Sequence, residues 1–408
     1  MEHLLYLAHR IPYPPNKGDK IRSYHLLKHL AQRYQVHLGT FIDDPDDWQY
    51  VDAVKKLCGE THFARLDTRT ARVASATALL RNRPLSLDYY RSRGLREWIA
   101  RLHRKLPVSR VLVFSSPMAQ FVEPQRYARR VIDFVDVDSA KWTEYAGQKS
   151  WPMNQVYARE GRQLLRYERQ VARDFDASLF VSPQEAALFA GMAPESAASI
   201  GWFSNGVDSA YFSPLHDFAS PYPEGGPVMV FTGAMDYWPN IDAVQWFASD
   251  MLPAILQRHP DARFYIVGAR PSREVLALDA LPGVHVTGTV PDVRPYLAHA
   301  HVSVAPLRIA RGIQNKVLEA MAMSKAVIVS PQALEGITAQ PGRDLMLAAT
   351  TDDFVRMACA ALDDMPADMG RAARAQVEAS YNWDINIARV DALLDLPMPQ
   401  PTLATACS

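Results

Sequence analysis

The residues best suited to chemistry lie in Arg311-Gly312-Ile313-Gln314-Asn315-Lys316-Val317-Leu318-Glu319-Ala320-Met321-Ala322. The run reads as a glycine turn opening a helix, and Ala326-Val327-Ile328-Val329-Ser330 after it as a short buried strand of a parallel sheet. At about 100° per residue, Ile313, Val317, Ala320 and Met321 share one face, and Asn315, Lys316 and Glu319 the other. The first amides of a helix have no intrahelical acceptor and carry positive partial charge, so with Gly312 allowing close approach they form a phosphate seat. Lys316 adds a point charge for phosphate, and Glu319, one turn further, can accept hydrogen bonds from a diol. A phosphate seat beside a diol acceptor suits a nucleotide. The same spacing also describes a solvated i,i+3 ion pair worth about 0.2–0.5 kcal/mol.

These residues need a scaffold, and 408 residues are enough for two domains of about 200. A hydrophobic content of 48% with 22% charged residues is that of a soluble globular protein. No apolar run approaches the roughly 18 residues that span a bilayer, and Met1-Glu2-His3-Leu4 lacks the basic start of a signal peptide, so a cytoplasmic protein is expected. Cys58, Cys359 and Cys407 lie far apart, against both a disulfide framework and a zinc site; the first two are expected to be buried. Net charge is zero but uneven: residues 1–200 hold 30 Lys/Arg against 22 Asp/Glu, sharpest from Arg65 to Arg130 with 15 against 4. That excess reads as a face for an acidic partner or anionic membrane, or as an arginine-rich helix surface in water.

Along the chain, strands are predicted at His3–Ala8, Val36–Phe41 and Thr61–Leu66, with helices from about Ile21 to Tyr34 and Trp48 to Leu57. This βαβαβ pattern opens a doubly wound parallel sheet, but with Gly18 alone in its first loop it lacks the G-x-G-x-x-G dinucleotide fingerprint. Two basic helical segments follow, one with Val73, Ala76, Leu79 and Leu80 on a side, the other with Leu95, Trp98, Ile99 and Leu102. Either could lie on anionic lipid or pack on its own sheet. Strands at Arg110–Phe114 and Arg130–Phe134 come next. The second runs into Val135-Asp136-Val137-Asp138-Ser139, putting Asp136 at a strand's C-terminal end, with Asp138 or Ser139 as helix caps. After a Pro/Gly-rich run from Pro214 to Pro227 a second βα series begins at Val228-Met229-Val230-Phe231, with Gly233 in its first turn and a strand at Val302–Ala305 leading to the opening stretch.

The chain resembles the retaining GT-B-fold glycosyltransferases of family four in its two βα domains, in Asn205-Gly206-Val207-Asp208 at the domain crossing, and in Leu318-Glu319-Ala320-Met321-Ala322 before a Val/Ile strand. Three further stretches, Ile11 to Arg22, Asp133 to Ser139 and Gly233 to Asn240, are similar to the sugar transferases associated with exosortase/PEP-CTERM exopolysaccharide systems. The resemblance implies an α/β protein of two Rossmann-like domains facing across a cleft. The expected parts are an acceptor-binding domain over 1–205, a nucleotide-sugar-binding domain over 206–378, a C-terminal helix over 379–395 returning to the N-terminal domain, and a flexible tail over 396–408.

The resemblance further implies hexosyl transfer with retention from a nucleotide diphosphate sugar to a saccharide acceptor, polyprenyl-diphosphate-linked among the options, with peripheral membrane contact, no metal, no cofactor and no nucleic acid. Glu319 takes the place of the family's second E-x7-E glutamate, for the donor ribose; Gly312, Ile313 and Gly233 match segments that approach the diphosphate. Arg311 stands where the first glutamate is expected, and the two cations usual after Gly233 are absent, so Arg311, Lys316 and Arg308 are expected to offset the diphosphate, with Asn315 beside them. Asn16, Lys17, Gly18, Asp19 and Arg22 are expected to border the acceptor, and Asp136 to make a polar contact near the reacting groups. The rivals are a non-catalytic nucleotide-sugar or polysaccharide-binding protein, kept open by Arg311, and an epimerase of the same fold.

Overall fold

The structure is a computed structural model and describes residues 1–15, 18–76, 83–310, 312–364 and 367–395. It divides into two compact units, Met1–Phe203 with the segment from Ile387, and Ser204–Asn386. The observed divisions at 203/204 and 386/387 stand beside the expected ones at 205/206 and 378/379.

In the first unit, strands β1 (His3–Ala8), β2 (Gln35–Ile42), β3 (Thr61–Arg65), β4 (Arg110–Phe114), β5 (Arg129–Val135), β6 (Ala177–Phe180) and β7 (Ile200–Trp202) form a parallel sheet in the order β3-β2-β1-β4-β5-β6-β7. Its central strands are continuous apolar runs, as a sheet covered on both faces requires. The connecting helices are α1 (Gly18–Leu30), α2 (Val51–Lys55), α3 (Thr68–Ala76), α4 (Leu85–Tyr89), α5 (Arg93–Lys105), α6 (Asp138–Gln148), α7 (Met153–Asp174) and α8 (Pro183–Met192). Leu95, Trp98, Ile99 and Leu102 of α5 are buried in the sheet's core, so its apolar face is not available to lipid. Val73 of α3 is 75% exposed; Leu79 and Leu80 lie outside the described residues. Cys58 is only partly buried, contrary to expectation.

Arg22, expected at the acceptor border, is instead core. Its guanidinium is fully enclosed, binds Asp133 of β5 at 2.7 and 3.1 Å, donates to the Phe203 carbonyl at 3.0 Å and lies 3.5 Å above the Phe203 ring. Asp133 in turn accepts the Val135 amide at 3.1 Å, where β5 shifts register against β6 and Val135 takes φ +71°, a costly conformation for a β-branched residue. The pair thus fixes the bulge from which Asp136 emerges.

In the second unit β8 (Val228–Thr232), β9 (Arg263–Val267), β10 (Val284–Gly288), β11 (Val302–Ala305), β12 (Val327–Val329) and β13 (Met346–Leu347) form a parallel sheet in the order β10-β9-β8-β11-β12-β13. Helices α9 (Trp238–Trp246), α10 (Leu252–Arg258), α11 (Arg273–Ala277), α12 (Arg294–His299), α13 (Asn315–Ala322), α14 (Pro331–Leu334), α15 (Thr351–Asp363) and α16 (Ala367–Ser380) accompany it. Between α9 and α10 the helical backbone passes through a π-helical turn at Phe247–Met251. α17 (Trp383–Asp395) passes the second division, and its Asp391 joins His29 and Arg33 of α1 and the turn after it, each at 2.6 Å. No helix among the described residues is long and apolar enough to cross a membrane.

Removing one partner of a buried ion pair leaves the other uncompensated, at a cost of about 3–5 kcal/mol. Arg22→Leu is therefore expected to lower the unfolding free energy of the first unit, measured by chemical denaturation, by that amount; a loss below about 1 kcal/mol would show that the pair does not hold β5.

Candidate functional site

In each sheet the order reverses direction at one place, β1/β4 in the first unit and β8/β11 in the second, and loops leaving such neighbours diverge to open a crevice at the strands' C-terminal ends. The second crevice gathers Gly233 and the start of α13 (Asn315–Ala322). Gly233 follows β8, and a Cβ placed on it would stand 2.8 Å from Asn240 Nδ2 and 3.3 Å from Lys316 Cε. Gly268, after β9, is closer still: a Cβ there would sit 1.6 Å from the Gly233 carbonyl oxygen, so only glycine lets β9 press on the β8–α9 loop.

From the other side comes α13. Gly312 is buried at φ +66°, the left-handed region that favours glycine, and turns the chain into the helix. Asn315 and Lys316 open α13, where amides have no intrahelical acceptor. Val317, Leu318, Ala320, Met321 and Ala322 are buried and Ile313 nearly so, which leaves Asn315, Lys316 and Glu319 partly exposed. Lys316 Nζ donates to Asn240 Oδ1 at 3.0 Å and Gln314 Oε1 at 3.3 Å, and lies 5.4 Å from the Phe231 ring centre. The plain Lys316–Glu319 ion pair is not formed; among the described residues no side chain bonds the Glu319 carboxylate. Burial pushes the Lys316 ammonium down to about 8 and the Glu319 carboxyl up to about 7, the latter against the opposing pull of Lys316. For both groups desolvation thus outweighs the compensation that the described residues supply.

Other predicted donor residues are placed differently. Arg308 is drawn to α9, where it pairs with Asp242 and lies 5.1 Å from the Trp246 ring centre, so it does not share the Lys316 cluster. Arg311 lies outside the described residues. Sequence reasoning missed Asn240, Gly268 and Asn205; Asn205 Nδ2 donates to Asn315 Oδ1 at 3.0 Å and so ties the 205–208 turn to the first residue of α13. An asparagine in a Pro-Asn pair reads as a turn residue, and nothing in the sequence distinguishes one that grips a lysine 76 positions on.

In the first unit Gly18 is exposed at the start of α1, and Asn16 and Lys17 lie outside the described residues. Asp19 is half-buried between Arg10, at 2.7 Å, and His9, at 3.4 Å; against the upward push of burial, these two hold its carboxyl well below the usual range. Asp136 takes the Lys141 ammonium at 2.6 Å through one oxygen while its other is buried without a hydrogen bond. Asp138 does not cap α6; Val137 holds the cap position without a side-chain bond. The Ser139 amide donates instead to Glu168 of α7 at 3.3 Å, whose carboxyl burial pushes up to about 8.

Comparison with known proteins now bears on this geometry. Residues 226–364 match the family of Glycosyl transferases group 1. That segment runs from just before β8 to the end of α15 and contains every residue of the second crevice named above except Asn205. Among solved structures, the chain is similar to a sucrose-phosphate synthase from Thermosynechococcus elongatus, with a TM-score of 0.69 and 17% identity over 96% of this chain and 98% of that one. It is similar to Anabaena HepE in complex with UDP and glucose, at 0.64 and 13% over 97% and 100%, and to WaaG, a glycosyltransferase involved in lipopolysaccharide biosynthesis, at 0.65 and 13% over 96% and 99%. The two parallel-sheet α/β domains are therefore those of GT-B glycosyltransferase structures. No curated protein sequence is matched.

The raised Glu319 value means that this group contributes stability present below its ordinary value of 4.5 and lost as pH rises through about 7. Carboxyl-carbon NMR is expected to show Glu319 titrating near 7, and higher still in Lys316→Met, where the cation that lowers it is gone. A titration near 4.5 in both proteins would show that the crevice does not desolvate the group.

Proposed function

We propose that the protein is a glycosyltransferase that moves a hexosyl group, with retention, from a nucleotide diphosphate sugar to a saccharide acceptor. The observation that carries this reading is the convergence of Gly233, Lys316 and Glu319 on the β8/β11 crevice within the segment matched by the glycosyl transferase family. A carboxylate that no described side chain bonds suits ribose hydroxyls, and a partly desolvated lysine beside glycine backbone suits a diphosphate. HepE, solved with UDP and glucose, has the same fold and supports a nucleotide-sugar donor here.

In the proposed reaction the acceptor hydroxyl approaches on the face that the diphosphate leaves. The bond from the anomeric carbon to the phosphate oxygen breaks, the bond to the acceptor oxygen forms, and the acceptor proton passes to the departing phosphate. The protein then positions reactants and stabilises the leaving charge; it needs no strong base. Lys316 is the leading cation, Arg311 a further one, with Gly312, Ile313 and Asn315 bordering the diphosphate. Gly18, Asp19 and Asp136 serve the acceptor side together with Asn16 and Lys17. No metal or other cofactor is assigned a part. The acceptor is proposed to be lipid-linked, in exopolysaccharide synthesis at the inner membrane surface, a setting that the fold shared with WaaG and the basic stretch from Arg65 to Arg130 both favour.

A panel of UDP-, GDP- and dTDP-sugars tests the donor reading. One of them is expected to raise the melting temperature of the wild type, and Glu319→Ala to bind that donor at least about tenfold more weakly, the loss of one or two charge-assisted hydrogen bonds. Nucleoside diphosphate should be released only with a saccharide acceptor present. Stabilisation by none of the donors would overturn the proposal.

A further inference from the structure

We propose that the first unit carries a binding pocket for an acidic sugar ring at the C-terminal ends of β2 and β3, with Trp48 taking the ring and Arg65 and Arg69 its carboxylate. This names the chemical class of the acceptor and rests on the transferase reading above.

A cavity of about 440 Å³ opens there, lined among others by Asp43, Trp48, Arg65, Asp67 and Arg69. The volume lies within the roughly 300–1,000 Å³ of small-ligand sites, and the C-terminal ends of parallel strands are where open α/β sheets bind ligands. It is separate from the β1/β4 crevice, two strands away across the sheet.

Trp48 sits in a 3-10 turn (Pro45–Tyr50) with 42% of its surface exposed. That turn is held rigid: Asp44 accepts the Asp46 amide at 3.2 Å, and the buried Asp47 carboxylate takes the Lys20 ammonium at 2.7 Å through each oxygen. A fixed indole left half in water offers a flat apolar face, and the C–H face of a pyranose is the sugar surface that covers such a ring at little cost in ordering.

The charges of the pocket walls decide the rest. Asp43 is bonded by the Arg10 guanidinium at 2.7 and 3.0 Å and is thereby cancelled. Asp67 accepts the amides of Arg69 and Thr70 at 3.0 and 3.1 Å. Arg65, the last residue of β3, and Arg69, in the first turn of α3, are exposed, and among the described residues neither guanidinium makes a hydrogen bond or ion pair. Two guanidinium forks against the single carboxylate of Asp67 leave the walls net positive. Such a fork matches a carboxylate in a bidentate manner, which an ammonium does not. A stacking ring beside open forks is the recognition set of a uronate-type sugar.

Isothermal titration of the full chain with a glucuronate-containing tetrasaccharide, its carboxyl-reduced neutral counterpart and inorganic phosphate tests this. The acidic tetrasaccharide is expected to bind at least about tenfold more tightly than the neutral one. Trp48→Ala and the double variant Arg65→Ala/Arg69→Ala should each lose tenfold or more, the arginine variant with an unchanged melting temperature because both side chains are exposed. Equal binding of acidic and neutral saccharides, full retention of affinity in the arginine variant, or competition by phosphate as strong as by the tetrasaccharide would overturn the pocket assignment. UDP, GDP and dTDP, each titrated into the same proteins, separate the two proposals. Nucleotide binding without saccharide binding removes the pocket alone, whereas loss of nucleotide binding in the wild type removes the transferase reading.

Discussion

The candidate site is arranged around one bond, from the Lys316 ammonium to the amide oxygen of Asn240. It spans the β8/β11 reversal, joining the first turn of α13 to the first turn of α9 across the opening where the two chain paths part. Without it the ammonium would be partly out of water beside Phe231 with Gln314 as its remaining hydrogen-bond acceptor, which is costly for a charge. With it, Asn240 and Lys316 stand where a side chain on Gly233 would have to go. Glu319, about one turn along the same helix, is half-buried with its carboxyl raised, a group that gains from any partner able to donate hydrogen bonds.

The first unit solves a related problem with a different interaction. Arg22 and Asp133 are shut away from solvent, and what they hold is the bulge at the end of β5 that turns Asp136 toward the C-terminal edge. A buried ion pair of this kind is weak support for stability in itself, since desolvation offsets most of the attraction; its use here is to specify one backbone path. The cation supplied by α1 is thereby spent inside the protein, which explains why an arginine at the end of a polar loop is not part of any surface.

Much of the fold was legible because its strands are short Val/Ile/Leu runs between turn residues: β1, β4 and β11 run over the residues that their sequences suggest. The edge strands β7 and β13 were not, since Ile200-Gly201-Trp202 and the two residues Met346-Leu347 are too short to show a period. At the candidate site, Lys316 and Glu319 were visible through helical spacing. Their partners were not, because Asn240, Gly268 and Asn205 come from distant turns and their types are common there. The partners of Arg308 and Arg22 were hidden for the same reason: a cation pairs with the nearest carboxylate in space, here Asp242 and Asp133, and not with its neighbours in sequence.

The central claim is that the β8/β11 crevice seats a nucleoside diphosphate between Gly233, Lys316 and Glu319. A crystal structure of the protein grown with the nucleoside diphosphate that binds it tests this most directly. The account predicts ribose hydroxyls on the Glu319 carboxylate and the diphosphate against Gly233 and the start of α13, with Lys316 turned from Asn240 toward phosphate. A nucleotide bound elsewhere, with the Lys316–Asn240 bond intact and Glu319 bare, would contradict it.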